Sequence, residues 1–368
     1  MMTTGKKFVI LLRRGMGLTI QDDGKEPPVV EDEKEWERIM RLAKEQAVPG
    51  ILFRGMQKMP SECTASRQIV MKAYMLSQNV QKNNRKVNEA TVKLATMIEQ
   101  AGFPYCILKG QGNALLYPDP SARVSGDIDI WVAASPKSVV DFARKALPGA
   151  NACYHHVEYA KCDGVDVELH YRPAFLNNPI HNSRMQRWFL KEAAAQCKHG
   201  VELPNGAGTV NVPTDAFNRI FLMAHMMNHL IHDGLGMRQL MDYYFLLRKG
   251  FTPEEQLHDQ QLLRDFGLYD MAGAVMFVLR RLFVLPKEQM IVPPDKKRGK
   301  FLFKEVVYGG NFGHYDPLAR KARTRWAKNV LRLRRDLKML TIFPSECLSE
   351  PLFRLWHYLW RLPYKKSK

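Results

Sequence analysis

Residues 105–171 constrain the fold of this chain most, because their hydrophobic pattern has the two-residue period of β-strands. Residues 105–108 form a short apolar run, and residues 126–132 alternate apolar with acidic side chains, which predicts a half-buried strand. Residues 153–160 and 165–171 read as two more strands, joined by the hairpin signal Asp-Gly. Helical patterns at 113–117 and 136–147 lie between the strands. The sequence therefore predicts a small α/β unit here.

Helical patterns surround this unit on both sides. Residues 66–98 contain neither Gly nor Pro and repeat apolar residues at helical spacing, which predicts one long helix. Further helices are predicted at 214–232, 237–248, 253–266, 269–282 and 320–340. The predicted fold class is α+β, with a small α/β core flanked by N-terminal and C-terminal helical regions. The predicted division is a loose N-terminal arm (1–30), an N-terminal helical region (31–100), the core (101–212), a helical C-terminal domain (213–295) and a basic helical extension (296–368).

Acidic side chains lie on one face of the predicted strands. Asp127 and Asp129 share a strand face, and two carboxylates at that spacing repel each other unless a cation lies between them. Carboxylate oxygens suit Mg²⁺, which leaves positions for substrate phosphates. Asp166, Glu168 and His170 share a face of the second hairpin strand. If the two strands are neighbours, a third acid joins the pair, and two metal ions can be held for phosphoryl or nucleotidyl transfer.

A glycine-containing turn follows the first predicted strand. It reads Lys109-Gly110-Gln111-Gly112, and glycines at a strand-to-helix turn let backbone N–H groups approach phosphate oxygens. The spacing is neither a Walker A loop nor a dinucleotide fingerprint. Arg123 precedes Asp127 by four residues and is placed to reach phosphates or carboxylates.

These motifs resemble those of a known family. Residues 108–110 read L-K-G, residues 123–130 read R-V-S-G-D-I-D-I and residues 167–170 read V-E-L-H. This resembles the L-K-G…R-x-x-G-D-I-D-[LI] signature of an uncharacterised bacterial nucleotidyltransferase family, in the DNA polymerase β-like superfamily. Residues 234–242 resemble the family's G-[IL]-G-x-R-Q-x-x-D segment, so the resemblance spans roughly residues 35–290.

The resemblance implies a polymerase-β-like core and a reaction. The reaction is magnesium-dependent transfer of a nucleoside monophosphate from a nucleoside triphosphate, such as ATP, to a hydroxyl, with release of pyrophosphate. Two Mg²⁺ ions are implied, with Mn²⁺ as the alternative ion. The acceptor is left open between an RNA, a protein hydroxyl and a small molecule. The alternative from another class is a non-catalytic nucleotide- or RNA-binding protein.

The resemblance also assigns residues. Asp127, Asp129 and Glu168 are the implied metal ligands and catalytic acids, with Asp166 left as the alternative third acid. Lys109, Gly110, Gln111, Gly112 and Arg123 are the implied nucleotide-binding residues. The superfamily's usual G-[GS] pair is Gly110-Gln111 here, so the phosphate cradle relies more on backbone. His170, Arg238, Gln239 and Asp242 are candidate contacts to the acceptor or nucleotide, although Arg238 and Asp242 are also spaced for an intrahelical ion pair.

Three histidines share a face of the helix predicted at 214–232. His225, His229 and His232 stand at i, i+4 and i+7, which suits a polar face packed on the core or a transition-metal site. The adjacent pair His232-Asp233 also permits a metal-dependent phosphohydrolase of the His-Asp type. Of these three interpretations of the histidines, we take the packed polar face as the default.

Positive charge is concentrated at the C-terminal end. Residues 296–368 carry 19 Lys and Arg against 5 Asp and Glu, so +14 of the net +18 lies there. Residues 352–364 interleave aromatics with arginines, which suits single-stranded nucleic acid, a membrane interface or a docked helix. The six cysteines form no C-x-x-C pair and read as reduced thiols, and no apolar run approaches the ~18 residues of a membrane span. We therefore expect a cytoplasmic protein.

Overall fold

The computed structural model describes residues 2–30, 32–60, 65–309 and 337–362, together with positions 324 and 330. Five helices precede the first strand within this part of the chain: α1 (Thr4–Met16), α2 (Ile20–Asp23), α3 (Glu33–Glu45), α4 (Pro49–Gln57) and α5 (Arg67–Gln100). The strands are β1 (Tyr105–Leu108), β2 (Ile128–Val132), β3 (His156–Cys162), β4 (Val165–His170), β5 (Gly200–Leu203) and β6 (Gly208–Asn211). Helices α6 (Gly110–Ala114) and α7 (Pro136–Ala146) lie between β1 and β3, and α8 (Pro179–Gln196) follows β4.

The remaining described helices follow the second sheet. They are α9 (Asp215–His232), α10 (Met237–Arg248), α11 (Pro253–Asp265), α12 (Tyr269–Phe283), α13 (Lys296–Gly309) and α14 (Pro344–Trp360). The helices predicted at 66–98, 214–232 and 237–248 are confirmed as α5, α9 and α10, while most of the helix predicted at 320–340 lies outside the described residues. No helix in the described ranges is long and apolar enough to cross a bilayer.

The main sheet has four strands in the order β1-β2-β4-β3. β2 pairs antiparallel with β1 and parallel with β4, and the predicted hairpin places β3 antiparallel beside β4. The expectation that the two acid-bearing strands are neighbours is confirmed, because Asp129 is the register partner of Glu168. The predicted α+β class is confirmed. A separate two-stranded sheet pairs β5 with β6, and the sequence did not predict it.

β2 is buried on both faces, so the expectation of a half-buried strand was wrong. Ile128, Ile130 and Val132 belong to the apolar cluster that also contains side chains of α5 and α7. On the other face, Trp131 stacks on Phe217 of α9, with ring centroids 5.9 Å apart and an interplanar angle of 14°. Helices therefore cover the acidic face as well, so that Asp129 is buried while Asp127 stays exposed at the rim.

The expectation of a loose arm at residues 1–30 was also wrong. Residues Thr4–Met16 form α1, whose Phe8, Leu11 and Leu12 are buried in the helical core. A Cβ added to Gly15 would lie 2.0 Å from the carbonyl oxygen of Ile51, so α1 crosses α4 closer than any side chain would permit. Gly15 is thus a helix-packing residue.

Helix α14 packs its aromatic side chains on the core. Phe353, Trp356 and Trp360 surround the ring of Tyr154 at centroid distances of 5.5, 5.2 and 6.2 Å. At the start of the helix, Glu346 Oε2 accepts a 2.6 Å hydrogen bond from the backbone N–H of Asn177. Of the three interpretations of this segment, the docked helix is the one that fits residues 344–360. Lys365, Lys366 and Lys368 lie outside the described residues.

Candidate active site

The acidic strands open into a cleft of about 310 Å³. The turn after β1 and the adjoining ends of β2, β3 and β4 form one wall, and side chains of α9 and α10 form the other. The fold therefore brings the sequence-predicted acids and the histidine-bearing helix to the same cavity.

Three carboxylates converge in this cleft. Asp127, Asp129 and Glu168 each place one carboxylate oxygen within 4.8 Å of the other two. Asp127 lies at the exposed rim, Asp129 is buried and Glu168 is half-buried. Asp166 is not part of the group, because its carboxylate is largely exposed and pairs with Lys161 at 2.8 Å. An all-oxygen donor set of three acids fits hard divalent cations such as Mg²⁺ and Mn²⁺.

Two cationic side chains offset this concentration of negative charge. Lys109 Nζ lies 3.0 Å from Asp129 Oδ2, and His170 Nε2 lies 2.9 Å from Asp129 Oδ1. Lys109 reaches this position from a backbone with φ +54° and ψ −132°, followed by Gly110 at φ +41°. A lysine in a conformation that favours glycine is strained, and such strain is often retained at functional sites.

The pKa values follow from these contacts. The charge of Asp129, with partial desolvation, raises the pKa of Asp127 to about 6. Burial opposes ionisation of Asp129, but Lys109 and His170 hold its pKa well below the usual range. Burial likewise opposes the charged form of His170, yet its hydrogen bonds to Asp129 and Glu168 raise its pKa to about 9. The cluster therefore carries repulsion that a bound cation would relieve.

Histidines line the cleft beside the acids. His155 and His156, which precede and begin β3, were missed by sequence reasoning, and they join His170, His225 and His229 at the cavity wall. Burial lowers the pKa of His156 to about 4, so this imidazole is neutral near pH 7. The local signal was the adjacent pair His155-His156 in the sequence Cys153-Tyr154-His155-His156, at the start of the strand predicted at residues 153–160.

His232 does not support the phosphohydrolase alternative. Among the described residues, the three-ligand groups with metal-binding spacing contain none of His225, His229 and His232. His229 Nδ1 instead lies 3.2 Å from Oδ2 of Asp233, the residue that follows α9. The default interpretation, a polar helix face packed on the α/β unit, fits α9.

Arg123 and Asp242 are placed differently from the sequence prediction. Arg123 donates to both Asp242 oxygens, from Nε at 2.8 Å and Nη2 at 2.7 Å, and both residues are buried. Tyr117 Oη donates a 2.7 Å hydrogen bond to the same carboxylate. This network fixes α10 to the loop before β2. Both residues also border the cleft, so a contact with phosphate or acceptor stays a prediction for them. Helical spacing predicted an ion pair of Arg238 with Asp242. In the structure, Arg238 Nη1 donates to the carbonyl oxygen of Val124 at 3.1 Å.

The second half of the glycine turn also has a packing role. Gln111 is buried and its Nε2 donates to Asn88 Oδ1. A Cβ on Gly112 would lie 3.0 Å from a methyl group of Val212, so α6 packs closely there. Of the predicted nucleotide-binding turn, only Lys109 and Gly110 line the cleft.

Arg238 and Gln239 line the same cleft from α10. Gln239 Oε1 accepts a hydrogen bond from Gly236 N at 3.2 Å, while its buried Nε2 has no hydrogen-bond partner among the described residues. A donor at such a position suits a polar substrate group.

This chain is similar to known proteins at the level of a solved structure and of a family. One structural match is the antigenic nucleotidyltransferase-like protein of Paracoccidioides brasiliensis, at 14% identity and a TM-score of 0.30, covering 52% of this chain and 93% of that one. A comparison with curated proteins finds no match. Residues 32–283, more than half of the chain, match the family described as uncharacterised nucleotidyltransferase. The chain therefore belongs to this nucleotidyltransferase family.

Proposed function

We propose that this protein transfers a nucleoside monophosphate from a nucleoside triphosphate to a hydroxyl acceptor, with release of pyrophosphate. The observation that carries the proposal is the convergence of Asp127, Asp129 and Glu168 within 4.8 Å beside the Lys109-Gly110 turn. A site that only binds a polyanion gains nothing from three carboxylates, since they repel phosphate unless cations intervene.

In this proposal, some residues bind the metal ions and others contact the substrate. Asp127, Asp129 and Glu168 hold the divalent ions, Mg²⁺ or Mn²⁺. When bound, these ions neutralise charge on the triphosphate and lower the pKa of the attacking hydroxyl. Lys109 and the backbone of Gly110 contact the phosphates, and Arg238 and Gln239 face them from α10.

The chemical step balances without a further reactant. The acceptor oxygen forms a bond to the α-phosphorus, and the bond from that phosphorus to the bridging oxygen of the β-phosphate breaks. The hydroxyl proton passes to Glu168, and pyrophosphate leaves with the electrons of the broken bond. Positioning and electrostatic stabilisation supply the rate enhancement.

Isotope transfer tests the reaction directly. Purified full-length protein with Mg²⁺ and a cell extract should move α-phosphate label from at least one of ATP, CTP, GTP or UTP to an acceptor. Label on the γ-phosphate should appear only in pyrophosphate. Absence of α-label transfer with all four nucleotides, together with salt-sensitive RNA binding, would identify a non-catalytic binding protein instead. Transfer of the γ-label to the acceptor would identify a kinase.

A further inference from the structure

A second set of metal-binding atoms adjoins the three carboxylates. His156 Nδ1 lies 3.3 Å from Glu168 Oε2, and His170 Nε2 lies 3.4 Å from the same oxygen. Each of the three residues offers one ligand atom within 4.8 Å of the other two. Glu168 therefore belongs to both sets, and its side chain stands between an all-oxygen group and a nitrogen-rich one.

The sheet holds this second set in place. His156 and His170 are register partners on the antiparallel strands β3 and β4, so their side chains share one face of the sheet. Glu168 is two residues before His170 and faces the same way. The side chains of His156 and His170 are 19% and 4% exposed. His156 Nδ1 also lies 2.9 Å from His155 Nε2, so binding of an ion exchanges that hydrogen bond while the paired strands hold the backbone of the ligand set in place.

The donor atoms select a class of metal. Ions with bonds of about 2.0–2.2 Å place neighbouring ligand atoms about 3.0–3.5 Å apart, which matches the two distances to Glu168. Mg²⁺ takes oxygen ligands, whereas imidazole nitrogen suits first-row transition metals. Two imidazoles and a carboxylate thus favour an ion such as Mn²⁺ over Mg²⁺.

We propose that His156, Glu168 and His170 bind a first-row transition-metal ion beside the cation held by Asp127 and Asp129, with Glu168 shared between them. The inference rests on the proposed function for the role of the neighbouring carboxylates, but metal binding is measured separately from turnover. In the metal-free protein, His170 Nε2 lies 2.9 Å from Asp129 Oδ1, where a proton on this nitrogen links the two sets.

Pulsed electron paramagnetic resonance of Mn²⁺ tests the proposal, because it detects imidazole nitrogen bound directly to the ion. Full-length protein with one equivalent of Mn²⁺, and with excess Mg²⁺ to occupy the all-oxygen set, should show nitrogen couplings from histidine. The double variant His156→Gln/His170→Gln should lose them, and His156→Gln alone should reduce the number of coupled nitrogens. His258→Gln, at an exposed position on α11, is the matched control and should change nothing.

The affinity for Mn²⁺ gives a second measurement. Loss of an outer partner of a metal ligand already costs 10–100-fold in affinity, so His156→Gln should weaken Mn²⁺ binding by about tenfold or more. The binding of Mg²⁺ should change much less. Circular dichroism shows whether each variant folds. The paramagnetic resonance spectrum of the wild-type protein tests the proposal without any variant.

The outcomes separate this inference from the proposed function. Bound Mn²⁺ without nitrogen coupling, or no Mn²⁺ binding at all, would overturn the inference. Nitrogen-coupled Mn²⁺ in a protein that transfers no α-label would support the inference and contradict only the proposed function. Transfer of α-label with Mg²⁺, together with a Mn²⁺ signal that lacks nitrogen coupling, would support the proposed function and contradict only the inference.

Discussion

Two cavities differ sharply in size and chemistry. The acidic cleft has a volume of about 310 Å³, while a second cavity, between the end of β2, α8 and α14, has about 1020 Å³. Trp131, Phe189 and Phe353 are among the side chains that line the larger one, and Pro173 borders both. The smaller cavity holds the converging acids and histidines. Strand register, and not cavity volume, therefore supports the smaller cavity as the proposed site of chemistry.

Removal of Asp129 should have the largest effect and should test which cavity carries the chemistry. Asp129→Ala takes away the carboxylate nearest to Lys109 and His170, so we expect α-label transfer to fall by about 10³-fold or more. Initial rates at saturating nucleotide give the measurement. Asp166→Ala, on the same sheet but outside the cluster, is the control and should retain near-normal rates. Activity in Asp129→Ala equal to wild type would remove the cleft from the mechanism.

A variant of the larger cavity completes this comparison. Leu190, which is 75% exposed on α8, lines that cavity and contacts none of the acids. Leu190→Ala should leave the rate with a saturating acceptor unchanged. A loss as large as that of Asp129→Ala would show that the larger cavity takes part in the reaction.

Breaking the pair of Arg123 and Asp242 should have the next largest effect, on stability. Asp242→Ala leaves the Arg123 guanidinium buried without its bidentate partner, which should cost about 3–5 kcal/mol in free energy of unfolding. Urea denaturation monitored by tryptophan fluorescence measures this. Lys161→Ala disrupts the exposed pair with Asp166 and should cost under about 1 kcal/mol. Equal losses in the two variants would contradict a structural role for the buried pair.

Packing of α14 on the core should contribute less to the free energy of unfolding than the pair of Arg123 and Asp242 does. Phe353 contacts the rings of Tyr154 and Phe175 at 5.5 and 5.0 Å but is only half-buried. Phe353→Ala should therefore lower the free energy of unfolding by about 1–2 kcal/mol and leave nucleotide affinity unchanged. Leu355→Ala, on the same helix at 62% exposure, is the control and should have little effect. A loss of RNA binding with unchanged stability would favour the nucleic-acid interpretation of this segment.

The sequence predicted the elements that carry a local signal. The helix without Gly or Pro became α5, the Asp-Gly turn joins β3 to β4, and the alternation around Asp127 and Asp129 gave β2. The pairing of β2 with β4 was only a condition of the sequence argument, and the structure meets it. The other three features are local. These features depend on residues close together in the chain, and their period or turn chemistry is visible without the fold.

The errors have a common physical cause, because each depends on a partner distant in sequence. Asp242 pairs with Arg123, which is 119 residues away, so helical spacing alone suggested Arg238. Gly15 marks a close helix crossing with Ile51, which no local pattern reveals. His156 enters the site because it is the register partner of His170. Tertiary contacts therefore decided between binding, packing and positioning roles.

The smallest predicted effect concerns Asp127 in the metal-free protein. Its native pKa of about 6 exceeds the unfolded value of about 3.9, so the native state binds more protons between those two pH values. Stability contributed by this group is present at low pH and is lost as the pH rises through about 6. Asp127→Asn removes the repulsion with Asp129, so this variant should be more stable than wild type above pH 6, although it binds metal less well.

Comparison of Asp127→Asn with wild type separates the effect of Asp127 on stability from that of His156. Burial lowers the pKa of His156 to about 4, so its contribution to stability rises with pH over an overlapping range. The difference in free energy of unfolding between Asp127→Asn and wild type should therefore be measured in chelator from pH 4 to pH 8. It should grow from near zero to about 1 kcal/mol at most, because Asp127 lies at the exposed rim, where solvent screens the repulsion. Asp166→Asn is the control and should show no such trend. A difference that is flat with pH would mean that the carboxylates do not repel each other in the metal-free cleft, and the electrostatic contrast between the two cavities would then be much weaker.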